Sequence, residues 1–339
     1  MPSPEVRRRL QQQLEELLAR CEEEPAGAVE HYYASGRGYY PPSEAGAERD
    51  HFGVCITTVD GATFAAGDAE LEFPLQSLSK VFTYALALAD HGRQRVAQHV
   101  GVEPSGEAFN SIRFDERQNR PYNPMVNAGA LATSALVAGH DHEEKLARIL
   151  DTLRAFAGRD DLAVDPAVFD AELATDDHNR ATAYLMRSLG MFDGAVESVL
   201  SLYLMQCSVT VTCRDLALMG ATLASGYTNP ATGERVLPQR RVRDVLSVMH
   251  TCGMYNYAGQ WAVEIGVPAK SGVSGGIIAA IPGKMGIGVY SPGLDVYGNS
   301  VRGIQVFEDL SERLGLHVFA TEEEDTMLAP ARAASEALP

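Results

Sequence analysis

The sequence predicts an α+β fold: one antiparallel sheet from both chain ends, flanked by helices, plus a mostly helical subdomain. Apolar, β-branched runs typical of strands occur near the two ends, at 52–66 and 276–290. Between them, from about 93 to 254, apolar residues recur at helical spacing. The simplest way to bury all the strands is one shared sheet, with terminal helices on one face and the helical middle on the other.

The strand segments are paired by short turns. Asp60-Gly61 is a hairpin signal that joins two of them, and Pro282-Gly283 joins two more. Each turn lies between apolar runs, which favours two antiparallel hairpins. The expected strands are 52–59, 62–66, 276–281 and 284–290.

The first helix is amphipathic. Leu10, Leu14, Leu17 and Leu18 recur at helical spacing among Glu, Gln and Arg, and the pattern ends near Pro25. A second helix, 77–91, is apolar on most sides and is followed by Gly92 at the expected stop. Further helices are expected near Val126–Val137, Glu143–Phe156, Ala181–Leu189, Val196–Gln206, Cys213–Ser225, Val242–His250 and Val301–Leu314.

The 339 residues are long enough for one large domain or two ordinary ones. We expect an N-terminal helix and irregular connector over 1–45, because GRGYYPPSEAG is dense in Gly and Pro. A single catalytic domain then covers 46–320, with the helical subdomain inserted between its strands. The last segment, 321–339, is an acidic and then Ala-rich tail.

Charge and hydropathy exclude several classes of partner. The net charge is −17, which argues against nucleic acid or an anionic membrane surface, since either requires a cationic face. The apolar stretches are too short to span a bilayer, and residues 1–25 lack the apolar centre of a secretory signal. A cytoplasmic protein is therefore expected.

The metal-ligating residues show no pattern typical of a site. Five cysteines form no C-x-x-C pair and predict buried thiols rather than a disulfide framework or a zinc ribbon. The cluster His140-Asp141-His142 lacks H-E-x-x-H spacing and predicts a solvated helix start. No metal site is expected.

The chemistry begins with S-x-x-K at the start of the second helix. Ser77 and Lys80 are three residues apart, so their side chains lie on the same helix face within contact distance. A serine becomes a nucleophile when a base takes its proton, and a lysine is that base when burial or a second cation lowers its pKa. Taken alone, this short motif is more typical of a helix cap followed by a surface lysine.

A second motif supports the catalytic interpretation. Lys270-Ser271-Gly272 precedes the strand at 276–281, which is the K-[ST]-G pattern found with S-x-x-K in serine β-lactamases and penicillin-binding proteins. Lys270 is expected to lower the pKa of Lys80, and the N–H groups of Val273 and Ser77 are expected to form an oxyanion hole. No S-D-N motif accompanies them, which argues against a β-lactamase proper.

The chain resembles the serine-dependent glutaminases, which share the serine β-lactamase-like fold. The resemblance covers about 27–314. It is carried by FPLQSLSKVF around Ser77, EPSG at 103–106, YNPMVNAGALATS at 122–134, QCS at 206–208, MHTCGMYNYAGQWA at 249–262, PAKSGVSGGI at 268–277 and GNSVRGIQ at 298–305.

The resemblance implies hydrolysis of L-glutamine to L-glutamate and ammonia through an acyl-enzyme, without metal or organic cofactor. Ser77 would be the nucleophile, Lys80 its base, and Tyr255 the group that passes a proton to the departing ammonia. Lys270 completes the catalytic set. The substrate-binding positions would be Ser77, Asn127, Glu172, Asn179, Tyr203, Tyr255 and Val273 (through its backbone), with Tyr32 the N-terminal tyrosine.

In this set Glu172 would meet the substrate ammonium, while Asn127 and Asn179 would donate to the carboxylate or the amide. The sequence departs from the family pattern where His178 precedes Asn179, and around Tyr32, which has Tyr33 beside it. Two alternatives stay open: another serine amidase or esterase on the same fold, and a non-catalytic amino-acid-binding protein. We expect a homodimer or homotetramer, although no motif selects the number.

Overall fold

Helices and strands follow one another along the chain much as the apolar patterns predict, in a computed structural model that describes residues 4–22, 50–238 and 241–320. The helices in these ranges are α1 Pro4–Glu22, α2 Ser79–Val96, α3 Asn127–Leu136, α4 His142–Ala157, α5 Pro166–Thr175, α6 Asp177–Ser188, α7 Val196–Cys207, α8 Cys213–Ala224, α9 Val242–Cys252, α10 Ala258–Glu264 and α11 Val301–Leu314. The strands are β1 Gly53–Thr58, β2 Thr63–Gly67, β3 Phe73–Pro74, β4 Thr210–Val211, β5 Ala269–Ser271, β6 Gly276–Ile281 and β7 Met285–Tyr290. Short 3₁₀ turns cover Gln76–Leu78 and Tyr255–Tyr257.

The main sheet draws its strands from both ends of the chain. Its order is β2-β1-β7-β6-β5, and every neighbouring pair is antiparallel. The two ends meet where β1 pairs with β7, with Gly53 opposite Tyr290 and Ile56 opposite Ile287. The predicted antiparallel sheet from the two chain ends is therefore confirmed, and β5, which carries the K-S-G motif, is an edge strand of it.

Alternate residues of each strand face different layers, as the period of two requires. In β6, Ile277 and Ile281 pack in a core with α1, α10 and α11, whereas Ile278 and Ala280 pack in the core of the helical middle. Terminal helices cover one face and the helical middle covers the other, which confirms the predicted layering.

Helix α8 lies on the sheet at very close range. Gly286 of β7 faces the backbone of Ala217 and Ala221, and a Cβ added at Gly286 would overlap these backbone atoms. Thr212 caps the start of α8 in a capping box with Asp215, so the helix begins at a defined residue beside the sheet. The glycine is thus required by close packing rather than by a turn.

Two features were not predicted. Helix α5 begins at Asp165-Pro166, where the Asp165 carboxylate accepts from the N–H groups of Ala167 and Val168. Strands β3 and β4 pair in a second, two-stranded sheet with Phe73 opposite Val211. Neither follows from periodicity, because α5 is short and a two-residue strand has no pattern.

The structure also bears on the predictions about the cysteines, the His-Asp-His cluster and membrane-spanning helices. The five cysteines are free and buried, as predicted. Asp141 caps α4 by accepting from the N–H of Glu144, so the His-Asp-His cluster lies at a helix start. Among the described helices, none is long and apolar enough to cross a bilayer. The connector that contains Tyr32 and the tail 321–339 lie outside the described residues, and the domain boundaries stay a prediction.

The α8–sheet contact predicts a large effect of a small substitution. We expect Gly286→Ala to lower the free energy of unfolding by about 1–3 kcal/mol, because the added methyl group must push α8 away from β7. Gly259→Ala in α10 is the matched control, since nothing lies within 4 Å of its added Cβ. Thermal or urea unfolding measures both, and equal stabilities would contradict the predicted contact.

Candidate active site

Ser77 is held at the point where the second sheet leads into α2. The N–H of Leu75 donates to Val209 O at 2.7 Å, which continues the β3–β4 pairing into the turn. Gln76 then adopts a φ of 49°, an uncommon conformation for a residue with a side chain. The Ser79 hydroxyl donates to Gln76 O at 2.7 Å and holds this turn closed. Ser77 therefore lies buried in a fixed turn just before the helix.

Lys80, in the first turn of α2, reaches back to Ser77. Its Nζ lies 2.6 Å from Ser77 Oγ and 3.1 Å from the Tyr203 hydroxyl of α7. The side chain has 0% exposed surface. The predicted contact between the serine hydroxyl and the lysine amine is present in the structure.

A chain of hydrogen bonds continues from Tyr203 into the helical middle. The Tyr203 hydroxyl donates to Asn127 Oδ1 at 3.2 Å, and Asn127 Nδ2 donates to Asn179 Oδ1 at 3.0 Å. Asn179 Nδ2 donates in turn to Asp176 Oδ2 at 2.9 Å. These side chains come from α7, α3 and the α5–α6 junction, so three helices meet at this chain.

Glu172 of α5 is linked to the Ser77 turn by a hydrogen bond from Gln76, the residue before Ser77. Gln76 Nε2 donates to Glu172 Oε1, and the glutamate is 1% exposed. Burial is the largest effect on this carboxyl and raises its pKa to about 8, against the lowering effects of the Gln76 hydrogen bond and the Lys80 charge. A buried acid of this kind favours a cationic partner.

Burial lowers the pKa of both lysines of the site. Burial lowers the pKa of Lys80 to about 8, while the nearby carboxyl groups of Glu172 and Asp176 raise it. Burial also lowers the pKa of Lys270 well below its usual value, and the charge of Lys80 lowers it again. Repulsion between two ammonium groups acts on both, so the expectation that the Lys270 charge lowers the pKa of Lys80 stays a prediction.

Lys270 and Tyr255 form the other side of the site. Both the Lys270 ammonium group and the Tyr255 hydroxyl donate to Ser271 O, at 2.6 and 2.9 Å. Lys270 Nζ also lies 4.1 Å from the centre of the Tyr255 ring. Tyr255 has a φ of 56°, and its ring contacts Phe109 beside a cavity of about 310 Å³. The strained turn and these contacts hold the phenol in one place.

Close backbone packing brings Val273 toward the Ser77 turn. A Cβ added at Gly272 would lie 3.2 Å from Leu78 Cγ and 3.4 Å from Leu75 O. The β5–β6 loop therefore packs directly against the turn that contains Ser77, and Val273 itself is buried in this loop. The small residues of K-S-G-V-S-G-G permit this approach.

The structure thus places the predicted residues in two adjoining groups. The first contains Ser77, Lys80, Tyr203, Asn127, Asn179 and Glu172, and the second contains Lys270, Tyr255 and Val273. Tyr32 lies outside the described residues. Gln76 and Asp176 were not predicted; only their positions next to Ser77 and Asn179 in the sequence pointed to them. Within the described ranges, no group of three or more His, Cys, Asp or Glu side chains is arranged to hold a metal ion.

The antiparallel sheet from both chain ends, with a buried Ser-x-x-Lys turn opposite a Lys-Ser-Gly edge strand, defines a hydrolase of the β-lactamase-like fold. The Glutaminase family model matches residues 38–319. The chain therefore belongs to the glutaminase family and is a glutaminase enzyme.

Individual relatives agree with the family match. A glutaminase from Trichormus variabilis is 54% identical over 280 residues, which cover 83% of this chain and 84% of that protein. The crystal structure of Mglu in its glutamate form has a TM-score of 0.85 and 42% identity, over 95% of this chain and 72% of that chain. The solved structure of a probable glutaminase, ybaS, has a TM-score of 0.84 and 36% identity, over 93% of this chain and 99% of that chain.

Proposed function

We propose that this glutaminase hydrolyses L-glutamine through an acyl-enzyme on Ser77, with Lys80 as the base. The observation that carries the proposal is the 2.6 Å contact between Lys80 Nζ and Ser77 Oγ in a fully buried setting. Burial lowers the pKa of Lys80 to about 8, so a neutral amine is available in mildly alkaline solution.

The reaction has two stages. The Ser77 hydroxyl gives its proton to the neutral Lys80 amine while Oγ forms a bond to the side-chain amide carbon of glutamine. The C–N bond then breaks while the nitrogen takes the proton held by Lys80, which Tyr255 passes on. Ammonia departs, Lys80 is neutral again, and a glutamyl ester remains on Ser77. In the second stage a water molecule gives a proton to Lys80 and attacks the ester carbon; Ser77 Oγ takes that proton back as the ester C–O bond breaks, which releases glutamate and restores the serine hydroxyl.

The oxyanion of each stage requires two donors. We assign the backbone N–H groups of Ser77 and Val273 as these donors, because the β5–β6 loop packs against the Ser77 turn.

Tyr255 is assigned as the group that passes the proton to the departing nitrogen. Its hydroxyl donates to Ser271 O in the structure, so that hydrogen bond must open when the proton moves.

The substrate ends require opposite partners. Glu172 is assigned to the ammonium group, since a buried carboxyl group with a raised pKa gains most from a cation. Asn127, Asn179 and Tyr203 are assigned to the carboxylate or the amide, as neutral groups that can hydrogen-bond without adding charge. Lys270 is assigned to holding Ser271 O and the Tyr255 ring in place.

The proposal also includes location and assembly. Five free, buried cysteines are typical of a reducing compartment, which supports the cytoplasm. A homodimer or homotetramer stays a prediction, to be measured by light scattering.

A related amidase or esterase would keep Ser77 and Lys80 but would not need Glu172, so turnover of a chromogenic ester compared with glutamine separates these functions.

The acyl-enzyme is tested by removing the nucleophile. We expect Ser77→Ala and Lys80→Met each to lower ammonia release from L-glutamine by about a thousandfold or more, because each removes one half of the same step. Ser188→Ala, an exposed serine of α6, is the control. With hydroxylamine present, the wild type should form the glutamyl hydroxamate from the ester on Ser77. Activity retained by folded Ser77→Ala would exclude the acyl-enzyme.

The ammonium contact is tested at Glu172. We expect Glu172→Gln to raise KM for glutamine at least about tenfold with a smaller change in kcat, since a charged hydrogen bond is worth roughly 1.5–3 kcal/mol. Asp170→Asn removes a carboxylate from an exposed position of the same helix and should leave KM unchanged. A lower kcat with an unchanged KM would assign Glu172 another role.

The pH dependence follows from the two groups whose pKa is about 8. Below this pH Lys80 is protonated and Glu172 is neutral, so kcat/KM should rise with pH through about 8 and then level off. Lys270→Met removes the second cation and keeps the stem, so the rise of kcat/KM should move to higher pH if the Lys270 charge lowers the pKa of Lys80. An even loss of kcat/KM with the rise at the same pH would show that Lys270 only holds Ser271 O and Tyr255 in place.

A further inference from the structure

The hydrogen-bond chain behind Lys80 runs in a single direction. Lys80 donates to Tyr203, Tyr203 to Asn127, Asn127 to Asn179, and Asn179 to Asp176, over distances of 3.1, 3.2, 3.0 and 2.9 Å. None of the five side chains is more than 8% exposed. Water therefore does not compete for these bonds along the chain, and the partners determine each other's orientation.

The middle residues of this chain, Tyr203, Asn127 and Asn179, do not set its direction themselves. A tyrosine hydroxyl both donates and accepts, and an asparagine amide presents oxygen or nitrogen after a half-turn that hardly changes its shape. Asp176 is different, because an ionised carboxylate only accepts. Its Oδ1 accepts from the backbone N–H of Asn179 at 3.3 Å, and its Oδ2 accepts from Asn179 Nδ2.

Asp176 therefore determines every orientation before it in the chain. Asn179 must turn its NH₂ group to Asp176 and its oxygen to Asn127. Asn127 must then turn its own NH₂ group to Asn179 and its oxygen to Tyr203. Tyr203 directs its hydrogen to Asn127 and receives an N–H of Lys80 on a lone pair.

This direction matters for the base. When Lys80 is neutral it has one lone pair, and that lone pair must accept the Ser77 proton. A Tyr203 hydroxyl that accepts from Lys80 leaves the lone pair available, whereas a hydroxyl turned to donate would occupy it. We propose that Asp176 is a positioning residue that fixes the direction of this chain, so that the Lys80 lone pair is kept for Ser77. The inference rests on the proposed role of Lys80 as the base.

Asp176→Asn reverses the direction with almost no change of shape. The backbone N–H of Asn179 cannot turn, so the new amide must present its oxygen there and its NH₂ group to the Asn179 side chain. Asn179 and Asn127 then turn over in sequence, and Tyr203 donates to Lys80. Asn at this position still caps α6, which keeps the start of the helix.

The experiment is a double-mutant cycle on the full chain with Asp176→Asn and Tyr203→Phe. We expect Asp176→Asn to lower kcat for L-glutamine by about tenfold with a similar melting temperature. Tyr203→Phe has its own effect, but it removes the hydroxyl through which Asp176 acts. Adding Asp176→Asn to Tyr203→Phe should then change kcat by less than about twofold. As a control, Asp177→Asn removes a negative charge from the adjacent residue, whose side chain is 96% exposed, and should leave kcat unchanged.

Equal losses from Asp176→Asn with and without the Tyr203 hydroxyl would overturn the inference, because Asp176 would then act through the fold. So would an Asp176→Asn variant with the kcat of the wild type. If Asp176→Asn does not fold, Asp176→Ser keeps a helix cap, removes the acceptor-only group and enters the same cycle. Failure of the proposed function has a different signature: folded Ser77→Ala or Lys80→Met would retain activity, and the inference would fall with it.

Discussion

The rest of the site depends on the burial of one amine. Lys80 has no exposed surface, and its Nζ donates hydrogen bonds to Ser77 Oγ and to the Tyr203 hydroxyl. Burial makes the charged form costly, which lowers the pKa of Lys80 to about 8. The same burial requires that every neighbour be held in place, because a misplaced partner would leave a polar group unpaired in the core. The strained Gln76 turn and the chain from Tyr203 to Asp176 meet that requirement.

The sheet explains how residues nearly 200 positions apart reach this amine. Strand β7 pairs with β1 on one side and β6 on the other, so the edge strand β5 with Lys270 joins a sheet that begins at Gly53. The turn that contains Ser77 leaves a separate two-stranded sheet, and the β5–β6 loop packs on it through Gly272. Because the sheet comes from both ends, a displacement of either end would move Lys270 relative to Lys80.

The sequence predicts the parts of this arrangement that depend on local spacing. Ser77 and Lys80 are three residues apart on one helix start, and the helix Val301–Leu314 has the bounds that its apolar pattern indicates. The sequence does not reveal which charges surround Lys80, since the carboxyl groups of Glu172 and Asp176 are brought to it by α5 and the α5–α6 junction. Asp176 was missed for the same reason: its partner Asn179 is close in sequence, but the significance of the pair depends on Asn127 and Tyr203. Glu172 was assigned through family resemblance alone, and its helix α5 was not predicted.

The electrostatics of the site suit a cationic substrate. Burial raises the pKa of Glu172 and lowers that of Lys80, each to about 8, so below that pH the acid is neutral and the amine is charged, and above it the reverse holds. These shifts act on stability in opposite senses. Lys80 binds fewer protons in the folded state, which makes stability rise with pH between about 8 and 10.5, whereas Glu172 binds more, which makes stability fall between about 4.5 and 8. A substrate ammonium beside Glu172 favours the ionised acid and so lowers its pKa. If glutamine binds as proposed, its ammonium group supplies the positive charge that the buried carboxylate otherwise lacks, in the pH range where Lys80 is neutral and can act as the proposed base.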